Sequence, residues 1–214
     1  MPARLSFKTI NHYIGTLVPT RFPELTKMES YAQDIHFPIV GPAAGQFCYL
    51  IAKACGSRQV FELGSGFGYS TAWFARAVQE NGGGEVHHAV WDAKLSEEAR
   101  VHMEQLGYGD IVRFHVSEAL EALRAADHPF DLIFNDIVKE CYPESLPVIY
   151  DKLCVGGILL VDNIFWSGRI FDARDHAPET EGIRAFTNLI TSDPAWITSF
   201  VPIRDGLLIA YKQR

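Results

Sequence analysis

The sequence lacks several features that would place it in a specialised structural class. No run of about 18 apolar residues occurs in its 214 residues, which argues against a membrane-spanning helix. Lysine and arginine number 19 against 26 acidic residues, and the resulting net charge of -7 argues against a nucleic-acid-binding surface. The first residues also lack the apolar segment of a secretory signal, so we expect a cytoplasmic protein with no membrane partner.

Cysteine is scarce and its spacing is uninformative. The four cysteines are Cys48, Cys55, Cys141 and Cys154, and no two of them form a C-x-x-C pair. This spacing predicts neither a zinc site nor a disulfide framework. We interpret all four as reduced, apolar core residues. Cys141 follows a candidate site described below, where a reactive role is the less favoured reading.

The composition indicates one globular domain spanning residues 1–214. The hydrophobic fraction is 48% and the charged fraction is 21%, which is ordinary for a chain able to bury a full core. Residues 1–57 carry a helical pattern, because Ile10, Ile14 and Leu17 recur at helical spacing before Pro19. Further helices are predicted over about 23–33 and 43–54. We expect the remaining residues, 58–214, to form an α/β core.

From residue 58 the pattern alternates between strands and helices, which indicates a parallel sheet with helices on both faces. Strands are predicted at 60–63, 85–91, 111–116, 130–135 and 158–161. Residues 196–203 and 207–212 then form a hairpin pattern that turns at Asp205 and Gly206. We therefore predict a Rossmann-like, doubly wound α/β fold. Its seven-stranded sheet is mostly parallel, with a C-terminal antiparallel hairpin and N-terminal helices.

A glycine-rich turn follows the first predicted strand. Residues 60–63 end that strand, Gly64, Gly66 and Gly68 come at alternate positions, and a helical pattern begins at Tyr69. A strand, a glycine turn and a helix start form the nucleoside- or phosphate-binding corner of doubly wound sheets. Glycine suits that corner because the turn is tight and a ligand lies against bare backbone.

The glycine spacing argues against a dinucleotide fingerprint, since Tyr69 occupies the place of the third glycine in G-x-G-x-x-G. Glu62 adds an acid two residues before Gly64. Acid-x-G-x-G-x-G resembles the first motif of S-adenosylmethionine-dependent methyltransferases, whose ligand has a cationic end that a carboxylate would suit. The alternative is an ordinary strand-to-helix turn in some other α/β protein.

Polar residues follow the fourth and fifth predicted strands. Asp136 ends the fourth, with Lys139 three residues later, and Asp162 and Asn163 end the fifth. If these strands are neighbours, their ends lie about 5 Å apart. Two carboxylates there would repel, and a hard cation such as magnesium, calcium or manganese would compensate their charge. The alternative is that these residues only cap a loop and a helix.

Two longer stretches resemble the cation-dependent O-methyltransferases, which include catechol and caffeoyl-coenzyme A O-methyltransferases and small bacterial members. They are residues 130–142, FDLIFNDIVKECY, and residues 156–168, GGILLVDNIFWSG. The resemblance runs from about Pro38 to the C-terminus. Shorter matches within it are Val40 and Gly41, residues 62–64, residues 68–70, Pro178, Thr180 and residues 205–207.

The resemblance implies a function and a set of roles. The function is methyl transfer from S-adenosylmethionine to a hydroxyl of a small catechol-like or phenolic acceptor. The cation, magnesium first, would be held by Asp136, Asp162 and Asn163, with Lys139 as the base. The residues assigned to the donor pocket are Val40, Glu62, Gly64, Ser65, Gly66, Gly68, Tyr69, Ser70, Asp92, Ser117 and Asp136. Bacterial relatives suggest a homodimer, with the N-terminal helices as a plausible contact.

Two positions depart from the family pattern. The acid that usually holds the ribose would fall on Val90, so either Asp92 holds it from a shifted turn or the contact differs. The usual Asp-Ala-Asp-Lys is DIVK here, which keeps the spacing from Asp136 to Lys139. Trp166 is read either as a wall of the acceptor pocket or as core packing.

Other functions and residues stay open at this point. A nicotinamide-dependent oxidoreductase on a Rossmann-like fold and a non-catalytic S-adenosylmethionine-binding protein are the alternative functions. His87, His88 and His115 lie on or near predicted strands. We interpret these three histidines as packing or surface residues and not as ligands.

Overall fold

Seven strands form one sheet in the computed structural model, which describes residues 6–214. They are β1 (Gln59–Leu63), β2 (Glu85–Val90), β3 (Val112–Val116), β4 (Phe130–Asn135), β5 (Leu153–Val161), β6 (Trp196–Val201) and β7 (Leu207–Lys212). Their order is β3-β2-β1-β4-β5-β7-β6, and β7 runs antiparallel to both of its neighbours. This confirms the predicted mostly parallel sheet with a C-terminal antiparallel hairpin.

The α-helices form two layers around this sheet. They are α1 (Phe7–Thr16), α2 (Pro23–Asp34), α3 (Gly41–Ala54), α4 (Tyr69–Glu80), α5 (Ala93–Gln105), α6 (Ala119–Ala125), α7 (Tyr142–Lys152) and α8 (Pro178–Ser192). Helices α2 to α5 pack on one face, and α6 to α8 pack on the other. Among the helices within residues 6–214, none combines the length and apolarity needed to cross a membrane.

The central strands are apolar because both of their faces are covered. In β4, Leu132 and Phe134 pack into the layer of α2 to α5, while Ile133 packs into the opposite layer. All three side chains are fully buried. Such strands read as continuous hydrophobic runs rather than as an alternation of apolar and polar residues. For this reason the sequence predicts the strand clearly but does not predict which face of the sheet each helix covers.

The start of the fifth strand differs from the prediction. The predicted strand begins at residue 158, but β5 begins at Leu153, directly after α7 ends at Lys152. Gly156 has a φ of 86°, and the register against β4 shifts between Phe130 and Leu132. Gly156 therefore belongs to an irregularity inside the strand, where extra residues are accommodated, and not to a helix end.

The C-terminal hairpin matters for the site because its turn reaches the carboxyl end of β5. The turn lies between Val201 and Leu207, and Gly206 within it has a φ of 84°. The N–H of Ile164 donates to the Gly206 carbonyl (3.1 Å), and that of Phe165 donates to the Asp205 carbonyl (2.9 Å). The turn predicted at Asp205 and Gly206 is therefore present, and it covers the residues that follow β5.

Candidate active site

A cavity of about 480 Å³ opens where β1, β4 and β5 end. Ligands of open α/β sheets bind beyond the carboxyl ends of the strands, and this volume suits a small molecule. The lining residues come from five segments, which are Phe37–Val40, Gly64–Ser70, Asp136–Lys139, Asn163–Ser167 and Arg204–Asp205. The cavity thus joins the glycine turn to the polar residues that follow β4 and β5.

Most residues assigned to the donor pocket lie around this cavity. Those that line it are Val40, Gly64, Ser65, Gly66, Tyr69, Ser70 and Asp136. Those that do not are Glu62, Gly68, Asp92 and Ser117. The cavity is therefore lined mainly by the first half of the glycine turn and by the first residues of α4.

Gly64 and Gly68 are needed in the turn for different structural reasons. Gly64 has a φ of 86°, and a Cβ there would collide with the backbone carbonyl of Asp136. Gly68 has a φ of 92°, and its Cβ would lie 2.9 Å from the Cβ of Ala99 on α5. The first glycine allows the close approach of two strand ends at the cavity. The third allows close packing between the turn and a helix.

Glu62 lies beneath the glycine turn and is fully buried. Its Oε2 accepts a hydrogen bond from the hydroxyl of Thr71, which lies 3.0 Å from Nδ1 of His88. Burial raises the pKa of Glu62 to about 7, although hydrogen bonds from Ser70 and Thr71 act in the opposite direction. The carboxylate therefore supports the turn from below, and a direct contact with the donor stays a prediction.

Asp92 and Ser117 lie away from the cavity lining. Asp92 caps the N-terminus of α5, where its Oδ1 accepts from the N–H of Lys94 (2.8 Å) and of Leu95 (3.2 Å). Ser117 lines a separate cavity beside His115. The ribose and donor contacts assigned to these two residues stay predictions.

The acids after β4 and β5 lie side by side, as their positions at the strand ends predict. Asn135 pairs with Val161 in the register, and the N–H of Asp162 donates to the Asn135 carbonyl (3.1 Å). Asp162 is 1% exposed, and Asn163 adopts a φ of 59° immediately after it. The backbone thus leaves the sheet immediately after Asp162, beside the end of β4.

Lys139 is held against Asp136. Its Nζ lies 2.6 Å from Oδ1 of Asp136 and donates to the Ile137 carbonyl at 3.1 Å. The side chain is buried, and its ammonium lies 4.9 Å from the ring centroid of Tyr142 and 5.9 Å from that of Trp166. Lys139 therefore lines the cavity with its Nζ held in place by Asp136 and the Ile137 carbonyl.

Arg204 is a site residue that the sequence reasoning missed. Its Nη1 lies 2.8 Å from Oδ2 of Asp162. Its backbone has a φ of 53°, its N–H donates to Oδ1 of Asn11 (2.8 Å), and its carbonyl accepts from Nδ2 of Asn11 (3.3 Å). The available signal was its position before the turn at Asp205 and Gly206, since a basic residue in that turn faces the strand ends.

The two acids are therefore not uncompensated, as the sequence argument assumed. Lys139 lies against Asp136, and Arg204 lies against Asp162. Even so, burial and the charge of Asp136 raise the pKa of Asp162 above its usual range. Lys139 and Arg204 therefore offset the negative charge of the two acids only in part, since burial still disfavours the charged form of Asp162.

The oxygen atoms of this group fit a hard cation. Oδ1 of Asp162 is buried and has no hydrogen-bond partner within residues 6–214. Nδ2 of Asn163 donates to Asp205 (3.3 Å), so the amide oxygen is the atom left for a cation. With the Asp136 carboxylate, these oxygens form a donor set suited to magnesium, calcium or manganese.

A second, larger cavity of about 790 Å³ adjoins the first and shares Ser167, Arg204 and Asp205 with it. Its walls are aromatic. Phe165 lies edge-on to Phe7 with 6.5 Å between ring centroids, and 6.1 Å from Phe171. Trp166 lines the first cavity and also packs against the core layer of α6 to α8. Its role as a wall of the acceptor pocket stays a prediction.

The sequence and the structure are similar to known proteins over most of the chain. Residues 20–213 match the O-methyltransferase family profile. The chain is 27% identical to a catechol O-methyltransferase of Niastella koreensis, over 95% of this chain and 96% of that protein. It is 34% identical to a catechol O-methyltransferase of Mycobacterium tuberculosis, over 64% of this chain and 62% of that protein.

Similarity of structure covers an equal span. An O-methyltransferase from Bacillus cereus, solved in complex with SAH, aligns with a TM-score of 0.86 and 25% identity. The alignment covers 97% of this chain and 100% of that one.

Proposed function

The chain belongs to the O-methyltransferase family, and we propose that it methylates a hydroxyl of a small catechol-like or phenolic acceptor with the help of a divalent cation. The methyl donor is S-adenosylmethionine, as expected for this class. One observation carries the proposal. The glycine turn that suits the donor opens into the same cavity as Asp136, Lys139 and Asn163, with Asp162 directly behind them. Family membership removes the nicotinamide-dependent oxidoreductase from consideration.

The donor would lie along the glycine turn. The bare backbone of Gly64 and Gly66 faces the cavity, and Ser70 opens the first turn of α4 beside it. The hydroxyl of Tyr69 donates to Glu29 (2.8 Å), so its ring is fixed as a wall. This arrangement would hold the donor with its methyl group turned toward the ends of β4 and β5.

The acceptor oxygen must be deprotonated and held in line with the methyl carbon, because methyl transfer from a sulfonium is a displacement. Lys139 lines the cavity and, as the neutral amine, would take the proton from the acceptor hydroxyl. Its 2.6 Å contact with Asp136 fixes the position of its Nζ. Asp136, Asp162 and Asn163 would hold the cation. When bound, a divalent cation there stabilises the acceptor oxygen as an anion.

The adjoining aromatic cavity supports a planar acceptor. Phe7, Phe165 and Phe171 would flank a ring entering from that side, and Asp205 lies where the two cavities meet. Aromatic pairs prefer edge-on or offset contacts, which the existing arrangement of these side chains provides. An acceptor with two adjacent hydroxyls could reach the cation with both oxygens.

Arg204 favours a second candidate, a cation-independent O-methyltransferase. Its guanidinium already lies against Asp162 and lines the cavity, so it could stabilise an anionic acceptor without a metal. The test is turnover of a panel of phenols and catechols with S-adenosylmethionine, in magnesium and in EDTA. Turnover in magnesium that EDTA removes supports the first candidate, and equal turnover in both supports the second. Donor binding with no turnover of any acceptor would favour a non-catalytic binding protein.

We further propose a single cytoplasmic domain that forms a homodimer through its N-terminal helices. Tyr13 on α1 is 63% exposed, Leu17 at the C-terminal end of that helix is 62% exposed, and Leu50 on α3 is 54% exposed. Contiguous exposed apolar side chains often mark a surface that associates. Light scattering should give twice the 24.0 kDa mass of the chain. A particle of 24.0 kDa would refute the dimer.

A further inference from the structure

A second group of side chains that could bind a metal ion lies at the opposite end of the strands, where β2 begins. Glu85 is the first residue of β2, and His87 follows two residues later on the same face. His128 lies in the loop that leads into β4. None of these side chains lines either of the cavities at the carboxyl ends of the strands.

The three side chains converge on one point. Nε2 of His87 lies 3.5 Å from Oε2 of Glu85, and Nε2 of His128 lies 4.0 Å from the same oxygen. One ligand atom from each residue lies within 4.8 Å of the other two. In a tetrahedral zinc site the ligand atoms are about 3.4 Å apart, as follows from bonds of about 2.1 Å. Small side-chain rotations would bring the three ligand atoms from their present separations to this spacing.

One nitrogen of this group, Nε2 of His87, has unmet bonding capacity. His87 is 8% exposed, and its Nε2 makes no hydrogen bond within the described part of the chain. Buried polar atoms in native proteins are nearly always paired, so each exception calls for an explanation. A bound cation would supply it.

Neighbouring residues orient the ligand atoms. Nδ1 of His87 lies 3.0 Å from Nε2 of His115, so a proton on Nδ1 leaves the lone pair of Nε2 directed at Glu85. Arg113 donates to Oε1 of Glu85 from two nitrogens, at 2.7 and 3.0 Å, which leaves Oε2 for a cation.

The geometry points to a site for a borderline transition metal ion, zinc first, held by Glu85, His87 and His128. Two imidazoles and one carboxylate are a donor set that zinc accepts and that magnesium disfavours. A cavity of about 470 Å³ beside His87 and His128 leaves room for water as the fourth ligand. The ion would tie the start of β2 to the loop before β4. It would be chemically separate from the all-oxygen site.

The test is zinc titration by calorimetry, on full-length protein stripped with EDTA and then held in excess magnesium. His128→Asn removes one ligand at a side chain that is 43% exposed, so the fold is little affected. His176→Asn is the matched control, because His176 is also exposed and also contacts a glutamate, Glu181, at 2.9 Å. Asp162→Ala separates this site from the cavity at the strand ends.

We expect one zinc equivalent in the wild type, in His176→Asn and in Asp162→Ala, with zinc raising the melting temperature of each. In His128→Asn the affinity should fall by about 100-fold or more, and the rise in melting temperature should disappear. Equal zinc affinity in His128→Asn and the wild type would overturn the proposal. So would a wild type that binds no zinc, or zinc binding that is lost in Asp162→Ala but kept in His128→Asn.

Discussion

Nη1 of Arg204 lies 2.8 Å from Oδ2 of Asp162, an acid whose side chain is 1% exposed. The guanidinium and a divalent cation would therefore share one carboxylate, with the second oxygen, Oδ1, left free for the cation. Cation binding should therefore change the stability of the protein as well as its activity.

Replacing Arg204 tests that arrangement. Arg204→Gln should lower the free energy of unfolding in EDTA by up to about 3 kcal/mol, because a buried acid loses its partner. Added magnesium should restore most of the loss and should bind more tightly than to the wild type. Chemical denaturation with and without magnesium measures both effects. Arg174→Gln, which breaks an exposed pair with Asp172, should change neither. Unchanged stability of Arg204→Gln in EDTA would contradict the prediction.

Removing the cation or one of its ligands should separate donor binding from catalysis. We expect EDTA to abolish turnover and Asp162→Ala to prevent its recovery in magnesium. S-adenosylmethionine binding by calorimetry should persist in Asp162→Ala, because the proposed donor position is along Gly64 and Ser70, which line the cavity. If turnover is unaffected by EDTA, the metal assignment fails and the role of Arg204 becomes the leading account.

Removing the base should slow the chemical step without releasing the cation or the methyl donor. Lys139→Ala should lower kcat by about 10²- to 10⁴-fold, as is typical when a general base is lost. The deficit should shrink as pH rises, since a phenol then ionises without help. Lys27→Ala is the control, as that side chain is 63% exposed and lies away from the cavity. Steady-state kinetics against pH measure the effect, and normal turnover of Lys139→Ala at neutral pH would remove the base from the mechanism.

Two glycines with similar backbone angles offer a matched test of the donor turn. Gly64 has a φ of 86° and lies against the Asp136 carbonyl, whereas Gly107 has a φ of 76° with open space around it. Both Gly→Ala variants carry strain of about 1 kcal/mol from the left-handed backbone. Gly64→Ala should also lose donor affinity, because the carbonyl must move. Calorimetry that shows equal donor affinity in the two variants would refute the close-approach argument.

The buried histidine His88 should make stability depend on pH. Burial lowers its pKa from 6.5 to about 3. Between these values the unfolded chain binds more protons than the folded one, so the free energy of unfolding falls as pH drops below 6.5. Glu62, with its pKa raised to about 7, acts in the opposite direction between pH 4.5 and 7. His88→Gln should therefore lose less stability than the wild type between pH 6.5 and 4, as measured by urea denaturation. Equal losses would contradict this assignment.

The parts of the site that follow from strand order were predictable. Asp136 and Asp162 sit at the ends of consecutive strands, and parallel packing brings those ends together without any knowledge of loops. The glycine turn was predictable for a similar reason, since its residues are local to one strand and one helix. The assignment of Glu62 to the donor was less secure, because a strand residue points to one face and the sequence does not say which.

The contacts of Arg204 were not predictable in this way. Its backbone is held by Asn11, which is 193 residues away in the chain, and its own φ of 53° is set by the turn around it. Neither feature leaves a periodic pattern in the sequence. The zinc-type group is similar, because His128 comes from a loop, and the histidines of β2 and β3 read as packing residues until the loop is in place.

The hydrogen bonds between Asn11 and Arg204 have a consequence for synthesis on the ribosome. A nascent chain that has emerged as far as Asp162, the residue after β5, already carries this acid, but the guanidinium that faces it has not yet been made. Arg204 emerges just before β7, and its partner Asn11 has then been outside the ribosome for nearly the whole of translation. The contact that compensates the charge of Asp162 can therefore form only at the end of synthesis, after every strand of the sheet except β7 has been made.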